Sequence, residues 1–307
     1  MRLESSISLT NFKPTRISCL FWWPATYADF LNYDDPVFVG QASMIHQGLS
    51  LDTLRGSFSH VGSLNLWHPL TWISFQLEAS FFGSSANVHH TTNVLLHALN
   101  AGLITLLARA FRLPAFACLS LGILFAIHPS AAQSVMWISE RKGLLATFFT
   151  LSSLLSWDQA LQGNKRFSLL TTLLAAAALL SKPSAVILPG LLILQALYTQ
   201  KGKQLSLKQA LSSAPRTPLI ATSLLSIVAA TITLNSQKQG GLANLSNAPL
   251  IDRVSTIPEQ AQFYIESFIG TSDYRGHGFV AASNISLPTQ QCLLSRDRLH
   301  PDSLFMN

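Results

Sequence analysis

Between residues 91 and 234 the chain carries six long apolar runs, at 91–108, 113–127, 143–158, 167–181, 183–199 and 218–234. A helix that crosses a bilayer needs about 20 mostly apolar residues, and tilt or snorkelling of flanking side chains admits somewhat shorter ones. In hydrocarbon a backbone must satisfy its own hydrogen bonds, which an α-helix does within one segment. The expected fold is therefore all-α, a polytopic membrane helix bundle of about six to seven transmembrane helices. The seventh candidate, 17–31, is short and holds Pro24 and Asp29. It reads either as a degraded first span or as an interfacial aromatic segment. A cleavable signal peptide, with its longer unbroken apolar core and small-residue cleavage site, is not evident.

Composition agrees: 11% of residues are charged, against roughly 25% in an ordinary soluble domain. The net charge of +6 does not indicate nucleic acid, because the basic residues are scattered among apolar runs rather than gathered on a polar face with aromatics. Instead they sort by side. With the N-terminus cytoplasmic and 17–31 crossing, one face receives Arg2, Lys13, Arg16, Arg109, Arg112, Lys165, Arg166, Lys201, Lys203, Lys208 and Arg216. The other receives Arg55, Arg141, Lys142, Lys182, Lys238 and Arg253. The excess on the first face matches the positive-inside rule. Cys19, Cys118 and Cys292 are far apart and suggest neither a disulfide framework nor a zinc site.

The chain then divides into an N-terminal segment with a weak first span (1–31), an outer loop with interfacial helices (32–90), the transmembrane bundle (91–235) and a further outer loop with a tail (236–307). From about Ile269 the tail has neither an apolar run nor a helical period, and it reads as disordered or out of frame.

Five polar blocks fall on the non-cytoplasmic face of this arrangement. Asp34 and Asp35 stand side by side in NYDDP, 32–36. Adjacent carboxylates in low dielectric repel, so one either takes up a proton or is offset by a cation. Such a group serves as a base toward a hydroxyl or as a ligand for a divalent ion; the plainer reading is a turn capped by Asp. In WHPLTW, 67–72, His68 faces a pocket unless the tryptophans merely hold a helix in the headgroup zone. Asn93, His97 and Asn100, at i, i+4 and i+7, form a polar stripe suited to interhelical hydrogen bonds, with His89 and His90 at its outer mouth. The block 125–143 holds His128, Gln133, Glu140, Arg141 and Lys142. Its cations lie where positive charge is disfavoured, so they suit either an anionic partner, such as the phosphate of a lipid carrier, or lipid headgroups. Lys182, between two apolar runs, needs water or a counter-ion, for which Asp34 or Asp35 is available, or else snorkels to the interface.

In order and spacing the five blocks resemble the transmembrane and tetratricopeptide-repeat O-mannosyltransferases and their bacterial relatives. The matching residues are NYDDP at 32–36, W-H-P-L-T-W at 67–72, H-x-x-N-x-x-L-H-A-L-N from His90 to Asn100, F-A-x-H-P with V-x-W-x-x-E-R-K from Phe125 to Lys142, and S-K-P-x-x-V-x-L-P from Ser181 to Pro189. The resemblance implies a C-type glycosyltransferase fold in the bacterial inner membrane or the endoplasmic reticulum. It implies a polyprenyl-phosphate sugar donor, with mannose the sugar suggested by the eukaryotic relatives, and a protein or glycan hydroxyl acceptor. It also implies that a first-loop carboxylate acts as base or metal ligand. Asp34 and Asp35 become the catalytic candidates, Asp35 also the candidate ligand for Mg or Mn. His68, His89, His90, Asn93, His128, Glu140, Arg141, Lys142 and Lys182 become candidates for the donor or acceptor pocket. The chain departs from that pattern at Gln133 and Gly143, where such proteins carry carboxylates, and no repeat array follows the apolar part. A catalytically inactive truncated relative or a membrane scaffold is the alternative expectation.

Overall fold

The computed structural model describes residues 13–30, 35, 39, 44–59, 67–200 and 214–238, with positions 255, 257, 258, 261, 262 and 265. The chain divides into two units, Met1–Leu242 and Ala243–Asn307. In the second unit the described positions are helical.

Among the described residues there are helices and turns and no strand. The helices are α1 (Lys13–Trp22), α2 (Leu51–Ser59), α3 (Pro69–Phe82), α4 (Ala86–Ala110), α5 (Ala115–Ile127), α6 (Ala131–Met136), α7 (Arg141–Leu161), α8 (Lys165–Ser181), α9 (Leu188–Gln200) and α10 (Arg216–Lys238). Short 3-10 turns at Trp23–Tyr27, Ile138–Glu140 and Pro183–Ile187 join them. Each apolar run thus lies in a helix or, at 183–199, in a 3-10 turn continued by α9. Among the described residues two stretches are long and apolar enough to cross a bilayer, Ala86–Ala110 and Arg216–Ser236, while Ala115–Ile127 and Pro183–Thr199 are shorter apolar helices. Length and apolarity therefore support, among the described residues, two of the six to seven expected spans. At about 1.5 Å rise per residue, the 13 residues of α5 extend roughly 20 Å, well short of a hydrocarbon layer about 30 Å thick.

The sequence punctuates these helices in identifiable ways. After α4, Arg112 adopts φ 60°, and Leu113 N–H donates to the Ala108 carbonyl at 3.2 Å, the reversed-turn closure that normally favours glycine. Pro114 then directs the chain into α5. Between α7 and α8 the same service falls to Gly163, at φ 96°. Pro69 opens α3, where its missing N–H leaves nothing unsatisfied.

The helices meet through small apolar cores, such as Trp157, Leu188 and Leu192, and through buried polar contacts, while many large apolar side chains lie on the outside. Asn93 Nδ2 donates to the Trp137 carbonyl at 3.2 Å and Asn100 Nδ2 to the Leu144 carbonyl at 3.0 Å, while His97 Nε2 lies 3.2 Å from the Ala126 carbonyl. Between α7 and α8, Ser153 and Ser156 donate to the Thr171 and Phe167 carbonyls, and Trp157 Nε1 donates to Leu192 of α9 at 2.9 Å. Such bonds hold helices together where lipid tails are as apolar as the side chains and give no hydrophobic preference. Leu169, Leu173, Leu194, Ile220, Leu224 and Ile227 are exposed. α1 joins the bundle closely: Trp22 Nε1 donates to the Ala126 carbonyl at 2.8 Å, and Gly102 and Gly122 lie against Thr15, Thr105 and Pro14 with no room for a side chain.

Arg109 in the last turn of α4, Arg112 just after it, Lys165 and Arg166 opening α8, and Arg216 opening α10 mark one set of helix ends. The opposite set, formed by the start of α4, the start of α7 and the end of α8, carries the mixed charges described next.

Candidate functional site

Two charge clusters form where α7 begins. Arg141 and Lys142 are consecutive in a helix, so their side chains diverge by about 100°, and each enters a different cluster.

Arg141 is fully buried. Its Nη1 donates to Glu78 Oε2 of α3 at 2.5 Å, Nε to Asn93 Oδ1 at 3.0 Å and Nη2 to the His89 carbonyl at 2.8 Å. Its guanidinium carbon lies 4.1 Å from the centre of the Phe75 ring, a cation–π contact. Glu78 Oε2 also meets His89 Nδ1 at 2.6 Å, and His89 Nε2 is 3.0 Å from Ser84 Oγ. Burial pushes the Glu78 carboxyl up, but the hydrogen bond from His89 and the charge and hydrogen bond of Arg141 more than offset that and hold it below the ordinary value. The cluster joins α3, α4 and α7. Each guanidinium nitrogen has an acceptor within the protein.

The second cluster centres on Glu140. Its Oε1 pairs with Lys142 Nζ at 2.8 Å and its Oε2 with Lys182 Nζ at 3.1 Å. Lys142 Nζ also donates to the Ser139 carbonyl at 3.1 Å and lies 5.9 Å from the Trp137 ring centre. Burial raises the Glu140 carboxyl, and the two ammonium groups outweigh it, so the group stays ionised below the ordinary range. The side chain of Lys142 is 10% exposed and that of Lys182 is 32% exposed, so Lys182 is the more accessible of the two. His68 is buried, and its Nδ1 has no hydrogen-bond partner. Burial first, then the charges of Lys142 and Lys182, lower the imidazole from 6.5 to about 3, so it is neutral at physiological pH. Three residues on from His68, Thr71 Oγ1 donates to the Ser181 carbonyl at 3.0 Å, which ties α3 to the end of α8 beside Lys182.

Asp35 is buried and its Oδ1 accepts the Ser139 N–H at 3.2 Å, which places it on the turn leading into Glu140 and Arg141. Asp34 lies outside the described residues. His90 is buried in α4, with Nε2 at 3.4 Å from the Asp29 carbonyl. His128 pairs with Ser130 Oγ at 2.7 Å in the turn after α5. The geometry therefore divides the expected pocket. His68, Glu140, Lys142 and Lys182 come together; His89, Asn93 and Arg141 form the second group; Asp35 touches the segment between them. The counter-ion of Lys182 is Glu140 rather than Asp35, because Glu140 ends the 3-10 turn directly across from the end of α8.

Sequence reasoning missed Glu78. It is the lone ionisable residue of α3, PLTWISFQLEASFF, and an isolated carboxylate in an apolar helix was the available signal. Among the described residues no group of three or more His, Cys, Asp or Glu side chains is placed to hold a metal ion.

What the described residues define is an all-helical protein whose apolar helices enclose mixed charges at one set of ends. No protein-family model matches the chain, and no solved structure matches it. In sequence it is 34% identical over 126 residues to Protein O-mannosyl-transferase Tmtc1 of Drosophila melanogaster, a stretch covering 41% of this chain and 15% of that protein. It is 34% identical over 190 residues to Protein O-mannosyl-transferase Tmtc2 of Drosophila melanogaster, covering 55% and 20%. It is also 34% identical over 99 residues to Protein O-mannosyl-transferase TMTC2 of Mus musculus, covering 32% and 12%. These similarities relate part of the chain to proteins named as O-mannosyl-transferases. The aligned stretches span 12% to 20% of the length of these three curated relatives.

Proposed function

We propose that the chain is a multi-pass membrane protein of the glycosyltransferase type, transferring a sugar from a polyprenyl-phosphate carrier to a hydroxyl of a protein or glycan at the non-cytoplasmic face of a bacterial inner membrane or the endoplasmic reticulum. Mannose is the sugar that the names of its relatives suggest. The observation that carries the reading is the cluster of Glu140, Lys142 and Lys182, which presents a reachable ammonium group at the end of an apolar helix, where a lipid-borne phosphate would arrive.

In the reaction the acceptor oxygen attacks the anomeric carbon, the bond from that carbon to the phosphate oxygen breaks, and the phosphate leaves with the electron pair. Charge develops on the phosphate as it departs, and Lys182, backed by Lys142, stabilises it. Asp35 takes the proton from the acceptor hydroxyl. Its hydrogen bond from Ser139 fixes the carboxylate to the same turn that carries Glu140. Arg141, enclosed by Glu78, Asn93 and His89, acts as a positioning residue that sets the direction of α7.

The test is transfer from a panel of radiolabelled polyprenyl-phosphate sugars by the purified chain, compared with Asp35→Asn and Lys182→Gln. Each variant is expected to lose at least a hundredfold in turnover. Unchanged turnover in Asp35→Asn overturns its assigned role. A second reading, a non-catalytic scaffold, draws support from the saturated Arg141 cluster, which does for α3, α4 and α7 what a structural anchor does; absence of transfer with every donor favours it.

A further inference from the structure

Where α3 hands over to α4, three side chains form a chain of hydrogen bonds that the sugar transfer does not use. His89, the fourth residue of α4, is fully buried. Its Nδ1 meets Glu78 Oε2 of α3 at 2.6 Å, and its Nε2 meets Ser84 Oγ at 3.0 Å. Arg141 on the same Oε2 keeps the Glu78 carboxylate ionised. An ionised carboxylate only accepts, so His89 Nδ1 carries the shared proton. In the neutral ring Nε2 is then the acceptor, and the Ser84 hydroxyl donates to it. A carboxylate that orients an imidazole whose other nitrogen faces a serine hydroxyl is the arrangement that turns serine into a nucleophile.

The surroundings suit that chemistry. The His89 ring stands edge-on to Phe75, with centres 5.3 Å apart, and 6.3 Å from the Phe30 ring, which fixes its direction. Ser84 is half-buried between the exposed Gly83 and Ser85. A Cβ on Gly83, at φ 80°, would meet no described atom within 4 Å, so the backbone beside the hydroxyl is open to an incoming carbonyl. α4 begins at Ala86, and Ser85 gives it no side-chain cap. The first N–H groups of a helix have no partner within it, and here they open toward the turn that carries Ser84, where charge would form on an attacked carbonyl. Phe81 and Phe82 are exposed at the end of α3 and offer an apolar surface to an acyl chain.

We propose that Ser84, His89 and Glu78 form a second reactive site, a serine nucleophile that cleaves carboxylic esters with an apolar acyl chain. Ser84 Oγ attacks the ester carbonyl while its proton passes to His89 Nε2. The Oγ–carbon bond forms, the bond to the alcohol oxygen breaks, and the alcohol leaves with the electron pair and takes the proton from His89. Water, deprotonated by His89, then releases the carboxylic acid and restores the serine. Glu78 is the positioning residue that holds the ring. The site uses none of Asp35, Glu140, Lys142 or Lys182, so it stands or falls apart from the sugar transfer.

The experiment uses the full chain purified in an ester-free detergent, with an alkyl fluorophosphonate and the p-nitrophenyl esters of acetic and octanoic acid as probes. The fluorophosphonate bonds a reactive serine through phosphorus and expels fluoride, and mass spectrometry locates it. Ser84 is expected to be labelled about a hundredfold faster than Ser85 on the same turn, and His89→Gln to lose about that factor. The octanoate ester is expected to turn over faster than the acetate, and Ser84→Ala to abolish both the label and the turnover. Glu78→Gln, assayed on the folded fraction, is expected to lower kcat on the octanoate ester with KM unchanged, which loss of fold alone does not produce. Equal labelling of Ser84 and Ser85, or selective labelling without turnover of either ester, overturns the proposal. So does turnover that survives in Ser84→Ala. Should His89→Gln or Glu78→Gln fail to fold, the ratio of Ser84 to Ser85 labelling in the unsubstituted chain and the turnover by Ser84→Ala decide alone.

Discussion

Replacing Glu78 by Gln keeps the shape of the side chain and one acceptor oxygen, and removes the charge opposite a fully buried Arg141. At the 2.5 Å separation of the pair, an effective dielectric of about 20 gives an attraction of about 7 kcal/mol. The amide retains part of this as a neutral hydrogen bond, and Asn93, the His89 carbonyl and the Phe75 ring remain around the guanidinium. Leaving one member of a buried pair without its partner costs about 3–5 kcal/mol, and that is the loss expected for Glu78→Gln. Arg141→Met is expected to lose a similar amount, because it leaves the carboxylate enclosed with His89 and Thr92 and no compensating guanidinium. The double variant is expected to be much less destabilised than the sum, since an apolar replacement of both charges is often neutral. Equilibrium unfolding in mixed detergent micelles, run as a double-mutant cycle, reads the coupling directly. A loss below about 1 kcal/mol in Glu78→Gln, or additivity in the double variant, would show that the pair does not anchor α3 to α7.

Other consequences are open to measurement. His68 is neutral in the folded chain down to about pH 3 and takes a proton below 6.5 when unfolded. The unfolded form therefore binds more protons in that window, and stability falls as pH drops through it, by at most about 1.4 kcal/mol per unit; a His68→Gln variant with an unchanged thermal midpoint profile above the carboxylate range refutes this. Glu78 and Glu140, both held below their ordinary value, contribute stability that is complete above the normal carboxylate range and is lost as pH falls through their lowered folded values. Glu140→Gln is thus expected to flatten the acid limb of the same profile, and an identical limb counts against its pairing with the two lysines. Gly122→Ala brings a methyl group against Thr105 and Pro14. It is expected to cost about 1–3 kcal/mol, and no change in unfolding would contradict the close contact of α1 with α5.

Helix positions were legible because an apolar run long enough to be noticed is long enough to wind. Their ends were not, because the flanking polar residues are also helical: α4 starts at Ala86 and α7 at Arg141, each before its apolar run. At 183–199 the run contains two prolines, and the chain adopts a 3-10 turn at Pro183–Ile187 before α9, with Pro189 in the first turn where its missing N–H is harmless. The site was legible as a set of unexpected charges, and Glu140, Lys142 and Lys182 do meet. Partner choice was hidden, since it depends on how each helix is rotated about its axis. Glu78 is 63 residues from Arg141 in sequence, and no local pattern announces that pairing. The number of spans was hidden for a related reason, because α5 and α9 are short helices whose apolar length alone does not define a crossing.

The Thr71 hydroxyl on the Ser181 carbonyl has a mechanical meaning. It clamps the start of α3 to the end of α8 at a single point, with the imidazole of His68 a few residues along one and the ammonium of Lys182 adjacent on the other. In the proposed reaction, a bulky headgroup entering beside Lys182 would have to move both helices together or break the clamp. A Thr71→Val chain would thus have a looser aperture, admitting a wider range of headgroups while gripping each of them less well.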